Sequence, residues 1–156
     1  MEINLDGKQT IFEKFLVPED VYIGVIKSIS EIKKIKGFGD KEVEKFVINV
    51  ELSDKKTVPA FLTAKIIKSN NPQYSNSKLY DLLEKSKDLE EFRHYWSTIK
   101  NTPESEQLNG LVIGWLRTKL IDREVKITTK TTQNMAGEKY SIIEKLIRFN
   151  DVVEEG

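Results

Sequence analysis

Val21-Tyr22-Ile23-Gly24-Val25-Ile26-Lys27-Ser28-Ile29 carries the first strong pattern in the chain. Val21, Ile23 and Val25 alternate with Tyr22, Gly24 and Ile26, the period-two signature of a strand. The apolar series continues as Ile29, Ile32 and Ile35, out of phase with its beginning. One long strand that bends sharply, at Gly24 or at a bulge, accounts for both halves. The bend turns the later half onto another sheet face.

Working outward, Gly37-Phe38-Gly39-Asp40 reads as a turn. Phe46, Ile48, Val50 and Leu52 alternate with Lys45, Val47, Asn49 and Glu51 in a second strand. Ser53-Asp54-Lys55-Lys56 is a tight reversal, and Val58, Ala60, Leu62 and Ala64 form a third strand with Phe61 on its opposite face. These segments predict an antiparallel meander. The period then changes. After a polar loop from Asn70 to Ser77, Leu79, Leu82 and Leu83 share one helical face. Asp88 and Glu91 have capping-box spacing before a helix striped by Leu89, Phe92, Trp96 and Ile99. Thr102-Pro103 predicts a cap and a first helical residue for a third helix bearing Leu108, Leu111, Val112, Trp115 and Leu116. Strands return at Val125 and Ile127, alternating with Lys126, Thr128 and Lys130. Asn134-Met135-Ala136-Gly137 turns the chain into a last strand from Tyr140 to Ile147.

Composition narrows the functional classes. The chain has 156 residues, 38% hydrophobic and 32% charged, with 25 basic and 25 acidic side chains. These values suit one globular domain. Cysteine is absent and His94 is the one histidine, so thiolate and paired-imidazole metal sites are excluded. No apolar run approaches the roughly 20 residues that span a bilayer. The first residues lack the basic-then-apolar order of a secretory signal. The expectation is a cytoplasmic protein without membrane contact, metal or cofactor. No nucleophile elbow, phosphate-cradling glycine loop or acid/base carboxylate spacing is present, so no enzymatic activity is expected.

Three strands, a helical segment and two strands, with a long bent first strand, resemble the chain order of the five-stranded OB barrel. Ser77-Lys78-Leu79-Tyr80-Asp81-Leu82-Leu83 is similar to the helix start in small phage, plasmid and archaeal OB proteins that bind single-stranded DNA. So is Leu120 to Ile127 with the hairpin that ends Glu138-Lys139-Tyr140-Ser141-Ile142-Ile143. The resemblance covers about residues 20 to 87 and 119 to 149; residues 88 to 118 add helices to the minimal pattern. It implies a β-rich α+β fold, an OB-like antiparallel barrel with a helical insertion at about 77–120 between strands 3 and 4. An N-terminal arm (1–20) would precede a single domain (21–150), and a short acidic tail (151–156) would follow it.

Within that frame, three groups of residues are candidates for nucleic-acid binding. Lys33, Lys34 and Lys36, with Phe38 at a glycine-flanked tip, would form the loop between strands 1 and 2. Lysines neutralise phosphates there and the ring stacks on a base. The same residues also fit a solvated hairpin with Phe38 on the barrel rim. Lys45, Asn49, Phe61, Thr63 and Lys65 would face outward from strands 2 and 3 as a stacking platform, unless the inserted helices cover Phe61. Lys126, Lys130, Lys139 and Tyr140 would line the last hairpin, in a region from Leu108 to Asn150 that carries a net +4. Thr128, Thr129, Thr131, Thr132 and Gln133 would donate to phosphates or sugars. Alternating Lys and Thr is also what an ordinary solvated strand face looks like.

The reading that follows is a single-stranded nucleic-acid-binding protein with little sequence preference, with DNA as the first partner and RNA as the alternative. A rival reading makes the helical insertion, around Phe92, Trp96 and Trp115, the docking surface for a protein partner or a second copy. The zero net charge favours that rival; the basic C-terminal strands favour nucleic acid.

Overall fold

The computed structural model describes residues 14–36, 42–64 and 77–151. Six strands and three helices follow in the order β1 (Val21–Ile29), β2 (Lys33–Lys36), β3 (Glu42–Leu52), β4 (Thr57–Thr63), α1 (Lys78–Lys85), α2 (Leu89–Ile99), α3 (Ser105–Leu120), β5 (Glu124–Gln133) and β6 (Lys139–Phe149). Antiparallel ladders join β1 to β3 and β5, β2 to β3, and β5 to β6, while β4 also pairs with β3. The architecture is β-rich α+β. Among the described residues no ladder joins β4 to β6, so the sheet is open where a closed barrel was expected. No helix among them is long and apolar enough to cross a membrane.

The chain divides into two compact units: the described parts of Met1–Ser30, Val47–Ala60 and Ile121–Gly156, and those of Glu31–Phe46 and Phe61–Leu120. The expected long first strand is two strands. Its register slips between Ile26 and Ser28, a bulge at Lys27, and the chain leaves the ladder before β2. Ser30 then holds Val47 from both sides, its N–H donating to the Val47 carbonyl (2.9 Å) and its hydroxyl accepting from the Val47 N–H (2.8 Å). Gly24 is not the bend. A β-carbon there would stand 2.5 Å from Val50 Cγ1 and 2.8 Å from the Glu51 carbonyl oxygen, so glycine permits close approach of β3.

The core of the first unit is the inward face of β1, β3, β5 and β6, with Ile26, Ile48, Val50, Val125, Ile127 and Phe149 buried. Residues 15–20 cross the β5–β6 hairpin and are fastened to it. The Ser141 N–H donates to the Phe15 carbonyl (2.7 Å), and the Thr129 hydroxyl donates to the Pro18 carbonyl (3.1 Å). This part of the expected N-terminal arm is therefore packed structure. At the other end, Arg123 donates through Nε and Nη2 to the two Asp151 oxygens, both at 2.9 Å.

In the second unit, Leu79, Leu82 and Leu83 bury one face of α1, as their spacing predicts. Ser77 caps it, accepting from the Tyr80 N–H at 3.2 Å. The end of α1 displaces the expected capping box of α2. Lys87 takes a left-handed conformation (φ 66°), the Asp88 N–H donates to the Leu83 carbonyl, and the Lys87 N–H donates to the Glu84 carbonyl. This is a Schellman closure, which occupies the Asp88 backbone. Asp88 sits outside extended geometry (φ −104°, ψ 2°) and makes no side-chain cap bond. α3 starts at Ser105, later than Pro103, because the Thr102 hydroxyl turns back to the Ile99 carbonyl (2.7 Å) and closes α2 instead.

Candidate functional site

The β5–β6 ladder decides which of the candidate cations share a surface. Residues directly opposite each other across antiparallel strands project to the same side. Lys126 stands opposite Arg148, Thr128 opposite Lys145, Lys130 opposite Ile142 and Thr132 opposite Tyr140. On the other flank of β5, Ile23 lies opposite Lys126 and Val21 opposite Thr128. This face is the outer one, since the alternate residues Val125, Ile127 and Thr129 are buried. It therefore carries four cations on β5 and β6 beside an aliphatic edge on β1, where Val21 and Ile23 are 47% and 51% exposed.

Electrostatics on this face are uneven. Glu51 on β3 and Glu124 on β5 flank Val25 at one end of this face, and Lys126, Arg148, Lys145 and Lys130 follow along β5 and β6. Arg148 is oriented by a short relay. Its Nε donates to Asn150 Oδ1 (3.1 Å), and Asn150 Nδ2 donates to Glu124 Oε1 (2.8 Å). Among the described residues no ion pair engages Lys126, Lys130 or Lys145. The rung Lys126–Arg148 sets two like charges opposite each other, with β-carbons about 4.5–5.5 Å apart, an arrangement that destabilises a sheet in isolation. An anion laid across the rung relieves it.

Lys145 and Arg148 escape the sequence pattern. β6 carries an extra residue at Glu144 and another at Ile147, where the register shifts. The first slip brings Lys145 onto the outer face, and the second restores Arg148 to it. Two other expectations are corrected. Lys139 stands opposite Gln133, on the side away from Tyr140, because neighbouring residues of a strand point to opposite faces. Thr129 is buried, with its hydroxyl committed to the 18–20 segment, and the Thr131 N–H donates to Glu19 Oε2 (3.0 Å).

The platform expected on strands 2 and 3 is not an open face. Val47, Asn49 and Pro59 are buried on the side predicted to face out, and Asn49 Nδ2 donates to Ser28 Oγ at 3.0 Å. Phe46 to Val50 is a near-continuous apolar run, which marks a strand covered on both faces. Lys45, Phe61 and Thr63 are half-buried. In the second unit Lys33 stands opposite Lys45, a further like-charge rung, whereas Lys34 stands opposite Glu44, whose Oε2 accepts from Asn109 Nδ2 (2.9 Å). Lys33 and Lys34 therefore serve different faces. The Lys36 backbone pairs with Glu42. Phe38, Lys65 and the tail beyond Asp151 lie outside the described residues.

Among the described residues, no three His, Asp or Glu side chains gather as a metal would require. His94 is exposed on α2. Compared with known proteins, the chain matches no family model, and no curated protein matches it.

Proposed function

We propose that the protein binds single-stranded nucleic acid, DNA foremost, on the outer face of β1, β5 and β6. The Lys126–Arg148 rung carries this reading: two like charges held side by side, with Lys145 and Lys130 on adjacent rungs. Phosphates spaced along a strand satisfy such a double row, and each neutralised phosphate releases counterions. Tyr140, beside Thr132 at the hairpin end, supplies a ring for stacking on a base. Val21 and Ile23 give the apolar margin against which sugars and base edges pack. Unstacked bases can reach this face; paired bases of a duplex present only their edges.

The proposal includes an OB-like strand order, open between β4 and β6 among the described residues. It is supported by the bulged first strand that pairs on both sides and by three helices placed between β4 and β5. The test is a titration of labelled single-stranded and duplex oligonucleotides at two salt concentrations. Tighter single-strand binding that weakens steeply with salt is expected. Equal or salt-insensitive binding would remove the reading.

A further inference from the structure

The aromatic residues of α2 divide in a way that its stripe alone does not reveal. Phe92 is buried, its ring 4.9 Å from Trp115 in an edge-on contact, and Tyr95 stacks on Trp115 at 6.1 Å. These rings bind α2 to α3. Trp96 takes no part in that cluster and is 39% exposed.

Its helical neighbours are informative. Residues three and four positions away share its surface; here they are Phe92, Arg93, Ile99 and Lys100. Phe92 and Ile99 are buried, while Arg93 and Lys100 are exposed. No carboxylate occupies any of the four positions. Arg93 does meet Glu90 at 3.0 Å, with 84% of the Glu90 side chain exposed. A surface pair of this kind contributes little and yields to a stronger anion. The Arg93 guanidinium also lies 6.0 Å from the Tyr80 ring, which limits its swing. Along the helix axis, Arg93 and Lys100 stand seven positions, about 10 Å, apart. Two cations at that separation would take the phosphates on either side of one stacked base.

We infer that Trp96 is a base-stacking contact for single-stranded nucleic acid, with Arg93 and Lys100 holding the flanking phosphates. The site is built from residues of the helical unit. It depends on the proposed function only for the class of ligand. An acidic peptide could meet the two cations, but it would leave the broad face of the indole without a planar partner.

The chain has two tryptophans, so intrinsic fluorescence reads the site directly. The full-length protein is titrated with an oligothymidylate of about twelve nucleotides, within the usual span of single-strand sites. Quenching is expected, and Trp96→Phe should abolish most of it while Trp115 still reports an intact fold. Trp96→Ala should weaken binding roughly five- to a hundredfold, as loss of one stacked base does. Unchanged affinity in Trp96→Ala, or undiminished quenching in Trp96→Phe, overturns the inference. So does a Trp96→Ala variant that alters self-association in sedimentation while leaving oligonucleotide binding intact. The paired variant Lys126→Glu with Lys130→Glu separates the two sites. If it keeps full affinity and Trp96-dependent quenching, the inference stands and the β5–β6 reading falls. If it loses affinity while Trp96→Ala does not, the reverse holds.

Discussion

Ser141 and Val17 are joined in both directions across the chain. The Val17 N–H donates to Ser141 Oγ at 2.8 Å, and that hydroxyl donates to the Val17 carbonyl at 3.1 Å, both out of contact with solvent. Ser141 is 1% exposed and lies on the inner face of β6. Ser141→Ala would leave a buried donor and a buried acceptor without their partner, at a cost of about 1–3 kcal/mol. Urea unfolding should show a lower midpoint with an unchanged slope. The salt dependence of nucleic-acid binding should stay as in wild type, since the outer face is untouched. A neutral Ser141→Ala would mean that residues 15–17 are held some other way.

Gly24 gives a second prediction about stability. Its place opposite Leu52 and Val125 puts it between two neighbouring strands, where a methyl group would press on Val50 and on the Glu51 backbone. The side chain of Val50 can turn; the Glu51 carbonyl cannot move without shifting β3. Gly24→Ala should therefore destabilise the protein by about 1–3 kcal/mol, although alanine is ordinarily the better strand residue. A thermal midpoint equal to wild type would show that β1 and β3 lie farther apart than described.

Much of the fold was legible because alternation and helical spacing survive at β1, β5 and α1. Along β5 burial alternates with the sequence from Glu124 to Lys130, with Val125, Ile127 and Thr129 buried. β6 was harder. Its Ile142-Ile143 and Leu146-Ile147 doublets enclose Glu144-Lys145, and a doublet of this kind fits either phase of a strand. Pairing with β5 chooses the bulges, and single-strand pattern carries no knowledge of the partner. Lys145 was missed for that reason, and Arg148 because the expected last strand ended at Ile147. Trp96 fitted two readings, the helical stripe and a docking surface, and spacing alone could not choose; Phe92, Tyr95 and Trp115 fill the contact between α2 and α3.

Acid titration should single out the Arg123–Asp151 pair. Hydrogen bonds from Arg123 hold the Asp151 carboxyl below its ordinary range, against a smaller opposing effect of desolvation. The Arg123 guanidinium is itself seated 4.5 Å from the centre of the Phe149 ring. Because the folded-state pKa is depressed, the pair stabilises the fold in full above the unfolded carboxylate pKa, about 3.9. That contribution is lost as the pH falls through the lower folded value. Asp151→Asn should thus be less stable than wild type near neutrality, and the gap should close below about pH 4. Urea midpoints at stepped pH measure it. A gap that persists in acid would assign the difference to packing rather than to charge.

The Lys126–Arg148 rung makes stability and binding move in opposite directions. Lys126→Glu turns a like-charge cross-strand pair into an opposite-charge one, a change worth roughly 0.2–1 kcal/mol in favour of the folded state. The urea midpoint should rise or hold. Binding should suffer, because the substitution removes a phosphate contact and sets a carboxylate in its place. Lys126→Ala isolates the first effect: the slope of log affinity against log salt should shrink by about 0.7, the value for one single-strand phosphate. Lys126→Arg should restore it. Lys145→Ala, on the adjacent rung, should lower the slope by a similar amount, although the sequence pattern alone would have placed Lys145 on the inner face. Arg148→Ala should cost more than its charge, since Asn150 and Glu124 lose the group they orient. Should Lys126→Glu bind single strands with wild-type affinity and slope, the outer face of β5 and β6 is not where nucleic acid lies.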